Sequence, residues 1–332
     1  MKKAIDYIFL LRPTLLIPVW TFLLLGYYWG SGSVADSAIG DAECGVRPEL
    51  DSGSEFARIG RIPHSTFLWA FLLYSLLMGG IYVFNQIMDR KTDRINQKLF
   101  LLSEGVVPVK FAYLEMGFLF FSSLLCSFFI FHFSFLTFFI FLSLLMGILY
   151  SIPPIKLKGR PFLDLLWNSV GFGFVNFSVG WFTVAPFTLS TVTHSIPYLF
   201  SVGGVFLNTT IPDLPGDKEA GDRTTGVLLG RRKTGILSTL FLLFALLSSF
   251  FVKDLVVFIV SLFSLPFFLL AVLKDQIRFY LLSIRIGAPL LVVLTIYLYP
   301  FYLLLLGVTF LSLRVYYKKR FNFTYPSIFS EK

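Results

Sequence analysis

An amide and two carboxylic acids recur at four-residue intervals after an apolar run. Asn85, Asp89 and Asp93 follow the run at residues 67–84. Because an α-helix turns once in 3.6 residues, each step of four residues drifts by only about 40°. The spacing therefore predicts that the three side chains share one helix face at the end of a membrane span. Such oxygen ligands suit a hard divalent cation that is shared with phosphate.

The alternative to a metal-binding face is a solvated helix end with mixed charges. Three basic residues interleave with the acids, namely Arg90, Lys91 and Arg94. A second acidic cluster after a later apolar run favours metal binding instead. It contains Asp213 and Asp217, again four residues apart, with Asp222 as a spare acid. Gly216 and Gly221 within this cluster permit close approach of the backbone.

A basic loop lies between the two acidic clusters in the sequence. Lys156, Lys158 and Arg160 follow Tyr150, which ends another apolar run. Two acidic clusters and one basic loop around a membrane-level cavity predict a site for a diphosphate with bridging Mg²⁺. The acids would hold the metal ions, the cations would bind the remaining phosphate oxygens, and an apolar cavity would accept a lipid tail.

The chemistry that this set of residues predicts is ionisation of an allylic diphosphate. Charge that builds on the leaving diphosphate is stabilised by metal ions and basic side chains. An aromatic face can stabilise the allylic cation that remains. Tyr150 is a candidate for that role or for a hydrogen bond to phosphate, and an ordinary interface tyrosine is the alternative.

The rest of the chain must supply membrane spans that position these loops. Of its 332 residues, 56% are hydrophobic and 14% are charged, and long apolar runs recur, which predicts an all-α, polytopic membrane protein. We expect about nine spans around a central cavity, at residues 14–29, 65–84, 109–131, 133–150, 162–186, 196–210, 234–251, 255–273 and 281–313. The last segment is either one kinked span or a tight pair of helices broken at Pro300.

The distribution of Lys and Arg predicts the orientation of the spans. With the N-terminus inside, most basic residues and all three candidate loops lie on the cytoplasmic side, and we expect the cell (inner) membrane of a prokaryote. The formal charge of +9 reflects this topology, so we expect no nucleic-acid partner. Residues 1–332 form a single domain, in which 31–63 is a polar extramembrane insert between the first two spans.

Three motifs resemble those of the UbiA superfamily of intramembrane prenyltransferases. They are Asn85-x-x-x-Asp89-x-x-x-Asp93, Leu149-Tyr150-Ser151-x-Pro153-Pro154 followed by Lys158, and Asp213-x-x-Gly216-Asp217-x-x-x-Gly221-x-x-Thr224. The resemblance covers about residues 8–315. It implies nine transmembrane helices, Mg²⁺ dependence and transfer of a polyprenyl group from its diphosphate to an acceptor.

The resemblance also implies roles for individual residues. The Mg²⁺–diphosphate would be held by Asn85, Asp89, Asp93, Asp213 and Asp217. Basic residues implied in binding the substrate are Arg12, Arg94, Lys98, Lys156 and Lys158. Residues 96–102 depart from the family, which often has Asn-Pro-x-x-Arg-Pro-Leu there, and the insert is longer than the usual first loop. These departures bear on the acceptor more than on the reaction class.

The acceptor is the least determined part of the prediction. An aromatic ring, as in quinone biosynthesis, is the first choice, and a lipid-glycerol, a sugar phosphate or a tetrapyrrole remains open. Asn168, Asn176 and Asn208 could orient an aromatic acceptor, or they could form interhelical hydrogen bonds. The expected partners are a polyprenyl diphosphate donor, a small-molecule or lipid acceptor, and membrane lipid. A transporter or channel is the alternative class, although the acids cluster on one side and no halves repeat.

Overall fold

The computed structural model describes residues 2–43, 64–95, 100–219, 221–322 and 325. Helices make up all the regular structure in these ranges, which confirms the predicted all-α class. The first helices are α1 (Lys2–Leu10), α2 (Pro13–Glu43), α3 (Ser65–Ile95), α4 (Phe100–Ser103), α5 (Val109–Phe131) and α6 (Phe135–Ser151). The others are α7 (Leu163–Asn168), α8 (Phe177–Trp181), α9 (Leu189–Thr210), α10 (Leu214–Glu219), α11 (Thr225–Phe251), α12 (Leu255–Lys274), α13 (Ile277–Leu298) and α14 (Phe301–Phe321).

Most of the long helices could cross a membrane. Within the described residues, α2, α3, α5 and α11 to α14 are long and apolar enough to do so. The shorter apolar helix α6 packs in the same bundle. Large apolar side chains are exposed on the outer surface, such as Phe118 at 70% and Leu304 at 73%. A surface of this kind faces lipid, so the chain is an integral, multi-pass membrane protein.

The fifth predicted span is a continuous helix whose middle part changes its hydrogen-bond pattern. A π-helical segment, Ser169–Asn176, joins α7 to α8. Such π segments inside helices often lie at functional sites. The seventh helix of the prediction also differs, because α11 begins at Thr225 and contains a kink at Gly230, where φ is 73°. The predicted span began only at residue 234.

The C-terminal segment is a pair of helices and not one kinked span. Helices α13 and α14 are separated by Tyr299 and Pro300. At the far end of α14, Arg320 forms a 3.1 Å ion pair with Asp6 of α1, and the Tyr316 hydroxyl donates to Asp6 at 2.8 Å. The two ends of the bundle therefore meet on one side. This favours the hairpin alternative over the preferred count of nine spans.

The polar insert predicted at residues 31–63 is partly helical. Helix α2 continues beyond the apolar stretch as far as Glu43. Residues 44–63 lie outside the part of the chain that the structure describes.

Helices α2 and α8 cross at two glycines. A Cβ atom at Gly26 would lie 1.9 Å from the Phe177 carbonyl oxygen, and one at Gly180 would lie 2.0 Å from the Leu23 carbonyl oxygen. No side chain fits at these distances, so the two backbones touch. Small residues at such crossings are typical of membrane helix packing. The crossing holds α2 against the elements that form the central cavity.

Candidate active site

A cavity of about 290 Å³ lies between the start of α2, α3, α6 and the segment from α7 to the π helix. Its wall is largely apolar, with Met78, Ile81 and Phe172 among the lining residues. Five residues singled out in the sequence also line it: Arg12, Asn85, Tyr150, Asn168 and Asn176. The cavity thus joins an apolar interior to polar groups from four elements.

The first acidic motif lies wholly on α3, as its spacing predicts. Asn85 lines the cavity and donates a 2.8 Å hydrogen bond from Nδ2 to Ser151 Oγ at the end of α6. Asp89 lies one helical turn further along and pairs with Lys158. Asp93 follows after another turn and attracts Arg12, as does Asp89. Three successive turns of one helix therefore lead outward from the cavity along a line of oxygen ligands.

Arg12 lies in the short link between α1 and α2. Partial burial lowers the pKa of its guanidinium, while the negative charges of Asp93 and Asp89 act in the opposite direction. Since an arginine loses its proton only far above physiological pH, Arg12 stays charged at the cavity. It is positioned by α1, whose Leu10 carbonyl accepts a 2.8 Å hydrogen bond from Gln86 of α3.

The cation loop, residues 152–160, contacts both acidic motifs. Lys158 Nζ pairs with Asp89 Oδ2, and the two side chains are 14% and 20% exposed. Lys156 Nζ instead binds both carboxylate oxygens of Asp222, at 2.6 and 2.8 Å. Arg160 turns back to the Pro154 carbonyl oxygen at 3.2 Å. The three predicted cations therefore have three different partners.

The second acidic motif lies on the turn after α9 and on α10. The backbone N–H of Asp217 donates to the Asp213 carbonyl at 2.9 Å, so the two acids are one turn apart. The Thr224 hydroxyl donates to Asp217 Oδ2 at 3.4 Å. The backbone N–H of Asp222 donates to the Asp217 carbonyl at 2.9 Å. A compact loop thus fixes this motif just before α11.

Asp164 is a polar residue of the site region that the sequence analysis missed. It is buried at 1% exposure, and its carboxylate accepts the backbone N–H of Thr225 at 2.8 Å as well as the Thr225 hydroxyl. The contact ties the start of α7 to the start of α11. A signal was present in the sequence, because an acid inside an apolar run is costly unless it is paired.

The asparagines divide into two groups. Asn168 lines the cavity and donates to the Tyr150 hydroxyl at 3.0 Å, and Asn176 lines it and accepts from the Tyr74 hydroxyl at 2.5 Å. Asn208 instead donates to Ser283 at 2.9 Å, between α9 and α13, and is not part of the cavity wall. This contact is the interhelical hydrogen bond that the sequence offered for Asn208 as the alternative to a role in substrate binding.

Arg94, one of the predicted basic residues, lies on the protein surface and is not part of the cavity wall. Arg94 has a 70% exposed side chain and lies 3.9 Å from Glu104 on the surface. Lys98 lies outside the described residues.

The acidic motifs offer carboxylates without closing around an ion by themselves. Among the described residues, no three His, Cys, Asp or Glu side chains converge as a metal-binding group. Mg²⁺ is usually held by one or two carboxylates together with water and substrate phosphates. The hard oxygen donors on α3 and in the second acidic loop fit such a shared arrangement.

Fold and site together define a polytopic membrane protein with an apolar cavity at Asn85, and with a basic loop that pairs with acids of both acidic segments. Residues 54–281 match the sequence profile of the UbiA prenyltransferase family. The match covers more than half of the chain, and the chain belongs to this family. The likeness stated from the three motifs is thereby confirmed.

Curated relatives of the chain are prenyl-transferring or pigment-synthesising proteins by name. A chloroplastic 2-acyl-4-prenylphloroglucinol 6-prenyltransferase of Humulus lupulus is 32% identical over 172 residues, which is 48% of this chain and 40% of that protein. The bacteriochlorophyll synthase 34 kDa chain of Chloroflexus aurantiacus is 25% identical over 223 residues, or 67% and 63%. Each match spans less than two thirds of the relative's own length.

Solved structures share the fold. A UbiA homolog from Archaeoglobus fulgidus bound to GPP and Mg²⁺ has a TM-score of 0.58 at 18% identity, covering 86% of this chain and 99% of that one. A structure described as digeranylgeranylglyceryl phosphate synthase also has a TM-score of 0.58 at 18% identity, covering 89% and 99%.

Proposed function

We propose that this protein transfers a prenyl group from an allylic diphosphate to an acceptor within the membrane. The observation that supports this most is the junction of an apolar cavity with Asn85, beyond which Asp89 and Lys158 meet. An apolar cavity suits an isoprenoid chain, and the charged groups at its end suit a diphosphate. Membership of the family supports the same reaction class.

The oxygen-bearing side chains of both motifs would hold the diphosphate through Mg²⁺. The residues in this role are Asn85, Asp89, Asp93, Asp213 and Asp217. When bound, Mg²⁺ would neutralise charge on the diphosphate and so make it a better leaving group. The structural neighbour solved with GPP and Mg²⁺ has the same fold, which supports this assignment.

Lys158 and Arg12 would bind phosphate oxygens directly. Lys158 already lies against Asp89, so its ammonium can pass from that carboxylate to a phosphate oxygen bound beside it. Arg12 lines the cavity and faces the negative charges of Asp93 and Asp89. Its planar guanidinium can donate two parallel hydrogen bonds to one phosphate group.

Heterolysis of the C–O bond would leave both bonding electrons on the diphosphate and an allylic cation in the cavity. The Tyr150 ring lies at the cavity wall, with its hydroxyl held by Asn168 at 3.0 Å. A ring fixed in this way can stabilise the cation through its π face. The apolar wall excludes water, which would otherwise hydrolyse the cation. Attack by an acceptor carbon then forms the new bond, and the acceptor loses a proton.

An aromatic ring is our proposal for the acceptor. Two of the relatives carry phloroglucinol and homogentisate in their names, and both of these are aromatic. Asn176 and Asn168 line the cavity, where their amides could hydrogen-bond to ring oxygens. A tetrapyrrole acceptor is the second candidate, because the bacteriochlorophyll synthase chain matches over the longest stretch.

The site would face the cytoplasm. The charge bias predicts that side. The ion pair between Asp6 and Arg320 supports this choice, because it holds the two basic ends of the chain together.

Product analysis tests the proposal and the choice of acceptor together. The purified protein in lipid nanodiscs would receive allylic diphosphates of increasing length and Mg²⁺, with phenolic, tetrapyrrole and glycerol-lipid acceptors in separate reactions. We expect mass spectrometry to find a prenylated phenolic product. Prenylation of the tetrapyrrole or glycerol lipid alone would refute the aromatic acceptor, and no product with any pair would count against prenyl transfer.

A further inference from the structure

The cation loop holds two lysines that bind acids of different segments. Lys158 pairs with Asp89 of the first motif, whereas Lys156 binds Asp222 beside the second motif. A 3₁₀ turn, Leu157–Gly159, begins between them, and Lys156 itself has a φ of 37°. The two side chains leave the loop in different directions as a result. One short loop thus bridges α3, which carries the first acidic motif, and the segment that carries the second.

Asp222 differs from the acids of the second motif in its surroundings. Both of its carboxylate oxygens bind Lys156, at 2.6 and 2.8 Å, and its side chain is only 19% exposed. It packs against Gly159, where an added Cβ atom would lie 2.9 Å from Asp222 Oδ1. The neighbouring Arg223 donates its backbone N–H to the Gly159 carbonyl at 3.2 Å. The side chain of Asp222 therefore packs directly against the cation loop.

Asp222 is also joined to the second motif through the backbone. Its N–H donates to the Asp217 carbonyl at 2.9 Å. A displacement of Asp222 must therefore move Asp217 as well. On the other side, the Asp164 carboxylate holds Thr225, three residues further along, against α7. The second acidic loop is thus anchored at Asp222 and again at Thr225.

We propose that the ion pair between Lys156 and Asp222 is a clamp that fixes the spacing of the two acidic motifs. Lys156 is then a positioning residue, and Lys158 is the lysine of this loop that binds phosphate. The inference rests on the proposed function and replaces the expectation that Lys156 itself binds the substrate. A diphosphate that bridges both motifs binds best when their spacing is set in advance, because less ordering remains to be done on binding.

The clamp predicts a particular kinetic pattern. Loss of the ion pair leaves every residue that would bind phosphate in place. It lets the cation loop and the segment around Asp222 move apart. The KM for the donor then rises by about tenfold, a coupling typical of contacting residues, while kcat changes much less. A lysine that binds the leaving phosphate would instead lower kcat when it is removed.

A charge swap separates the two roles. Lys156→Asp and Asp222→Lys are each expected to raise the KM for the donor, and the double variant is expected to recover most of the loss, because the pair is restored with its charges exchanged. The matched control exchanges the other pair, Lys158→Asp with Asp89→Lys. That double variant is expected to stay inactive, since both residues would contact the phosphate or its metal ion.

A distance measurement tests the clamp without turnover. Nitroxide labels on Ile155→Cys and Lys218→Cys, both exposed, would report the separation of the two loops in protein whose native Cys44 and Cys126 are changed to Ser. Without Mg²⁺ or donor, we expect a narrow distribution of distances between the two labels. The distribution should broaden in Lys156→Asp and narrow again in the double variant Lys156→Asp with Asp222→Lys.

The outcomes distinguish the clamp from the proposed function. The clamp is overturned if the double variant fails to restore the KM for the donor, or if it fails to restore the narrow distance distribution. It is also overturned if the single variants lower kcat and leave the KM for the donor unchanged. If the unaltered protein releases no diphosphate from any donor, prenyl transfer fails, while the distance measurement still decides whether the clamp exists.

Discussion

Lys158 and Asp89 form a partly buried ion pair one turn beyond the cavity, and each has a second partner in the proposed reaction. Their charges compensate each other before substrate binds, which matters because an unpaired charge at a membrane boundary is costly. When the diphosphate binds, the lysine would pass to a phosphate oxygen and the carboxylate to the metal ion. The two charges are thus compensated both before and after the diphosphate binds, because each of them exchanges one partner for another.

The ring of Tyr150 can be tested separately from its hydroxyl group. Tyr150→Phe keeps the aromatic face but loses the hydrogen bond from Asn168, so we expect kcat to change only slightly. Tyr150→Leu removes the face and is expected to lower kcat by about 2- to 30-fold, the range of a cation–π interaction. Steady-state diphosphate release measures both. Equal loss in the two variants would show that the hydroxyl group, and not the ring, is needed.

Single residues were predictable where local periodicity fixes them. The spacing of Asn85, Asp89 and Asp93 predicts one helix face, and α3 runs unbroken through all three. Pairs such as Lys156 with Asp222 depend on which loops meet in space, and the sequence carries no local sign of that. The role of Asn208 could not be decided from sequence, because an asparagine between helices and one that lines a cavity look alike there.

At the scale of elements, the cavity ends at a hydrogen-bonded group from three segments. Tyr74 of α3 is the lining residue of that helix farthest from Asn85, about 16 Å along its axis. Its hydroxyl bonds to Ser143 of α6 at 2.8 Å and to Asn176 of the π segment at 2.5 Å. The segments therefore close the cavity together, and none of them could be identified as its end from sequence.

Removal of the Tyr74 side chain should lengthen the cavity. Tyr74→Ala is expected to shift the preferred donor towards longer prenyl chains, because the ring that ends the cavity is gone. Tyr74→Phe is the matched control and should leave the preference unchanged, since the ring remains. Relative kcat/KM for donors of increasing length measures the shift. An unchanged donor preference in Tyr74→Ala would show that another residue limits the length of the prenyl chain.

The close crossing of α2 and α8 predicts that a branched side chain in place of Gly180 destabilises the protein. Gly180→Val is expected to lower the free energy of unfolding by about 1–3 kcal/mol, because its Cβ atom would meet the Leu23 carbonyl of α2. Gly117→Val on α5 is the matched control, since nothing lies within 4 Å of an added Cβ atom there. The midpoints of thermal unfolding in detergent are compared for Gly180→Val and Gly117→Val. Similar midpoints for both variants would contradict the close crossing.

Elements were predictable from apolar run length, but their breaks were not. The order of helices follows the predicted spans, whereas the π segment at Ser169–Asn176 and the kink at Gly230 have no clear mark in hydropathy. Pro300 illustrates the difficulty, because proline both kinks helices and separates them.

For the whole molecule, the two chain ends meet through Asp6, Tyr316 and Arg320. With nine spans, the basic residues Lys318, Lys319 and Arg320 at the end of α14 would lie opposite most of the other basic residues of the chain. If the last segment is a hairpin, they lie on the same side as the other basic loops, as the charge bias requires. The contact between distant parts of the chain indicates that the end of α14 lies beside α1.

The hairpin predicts that both ends are accessible from one side of the membrane. Single cysteines at Lys3 and Lys319, in protein whose native cysteines are changed to Ser, would be labelled with a membrane-impermeant maleimide in sealed, oriented vesicles. We expect both positions to react from the same side. Reaction from opposite sides would restore nine spans and contradict the packing of α14 against α1.

Diphosphate release is the measurement that tests the central claim most directly. Release from an allylic diphosphate would be followed with and without Mg²⁺, in the unaltered protein and in Asp89→Asn. The matched control is Asp275→Asn, an acid paired with Arg231 away from the cavity. We predict release that requires Mg²⁺, falls by about a hundredfold or more in Asp89→Asn, and persists in Asp275→Asn. Release that is unchanged in Asp89→Asn, or independent of Mg²⁺, would contradict the proposed site.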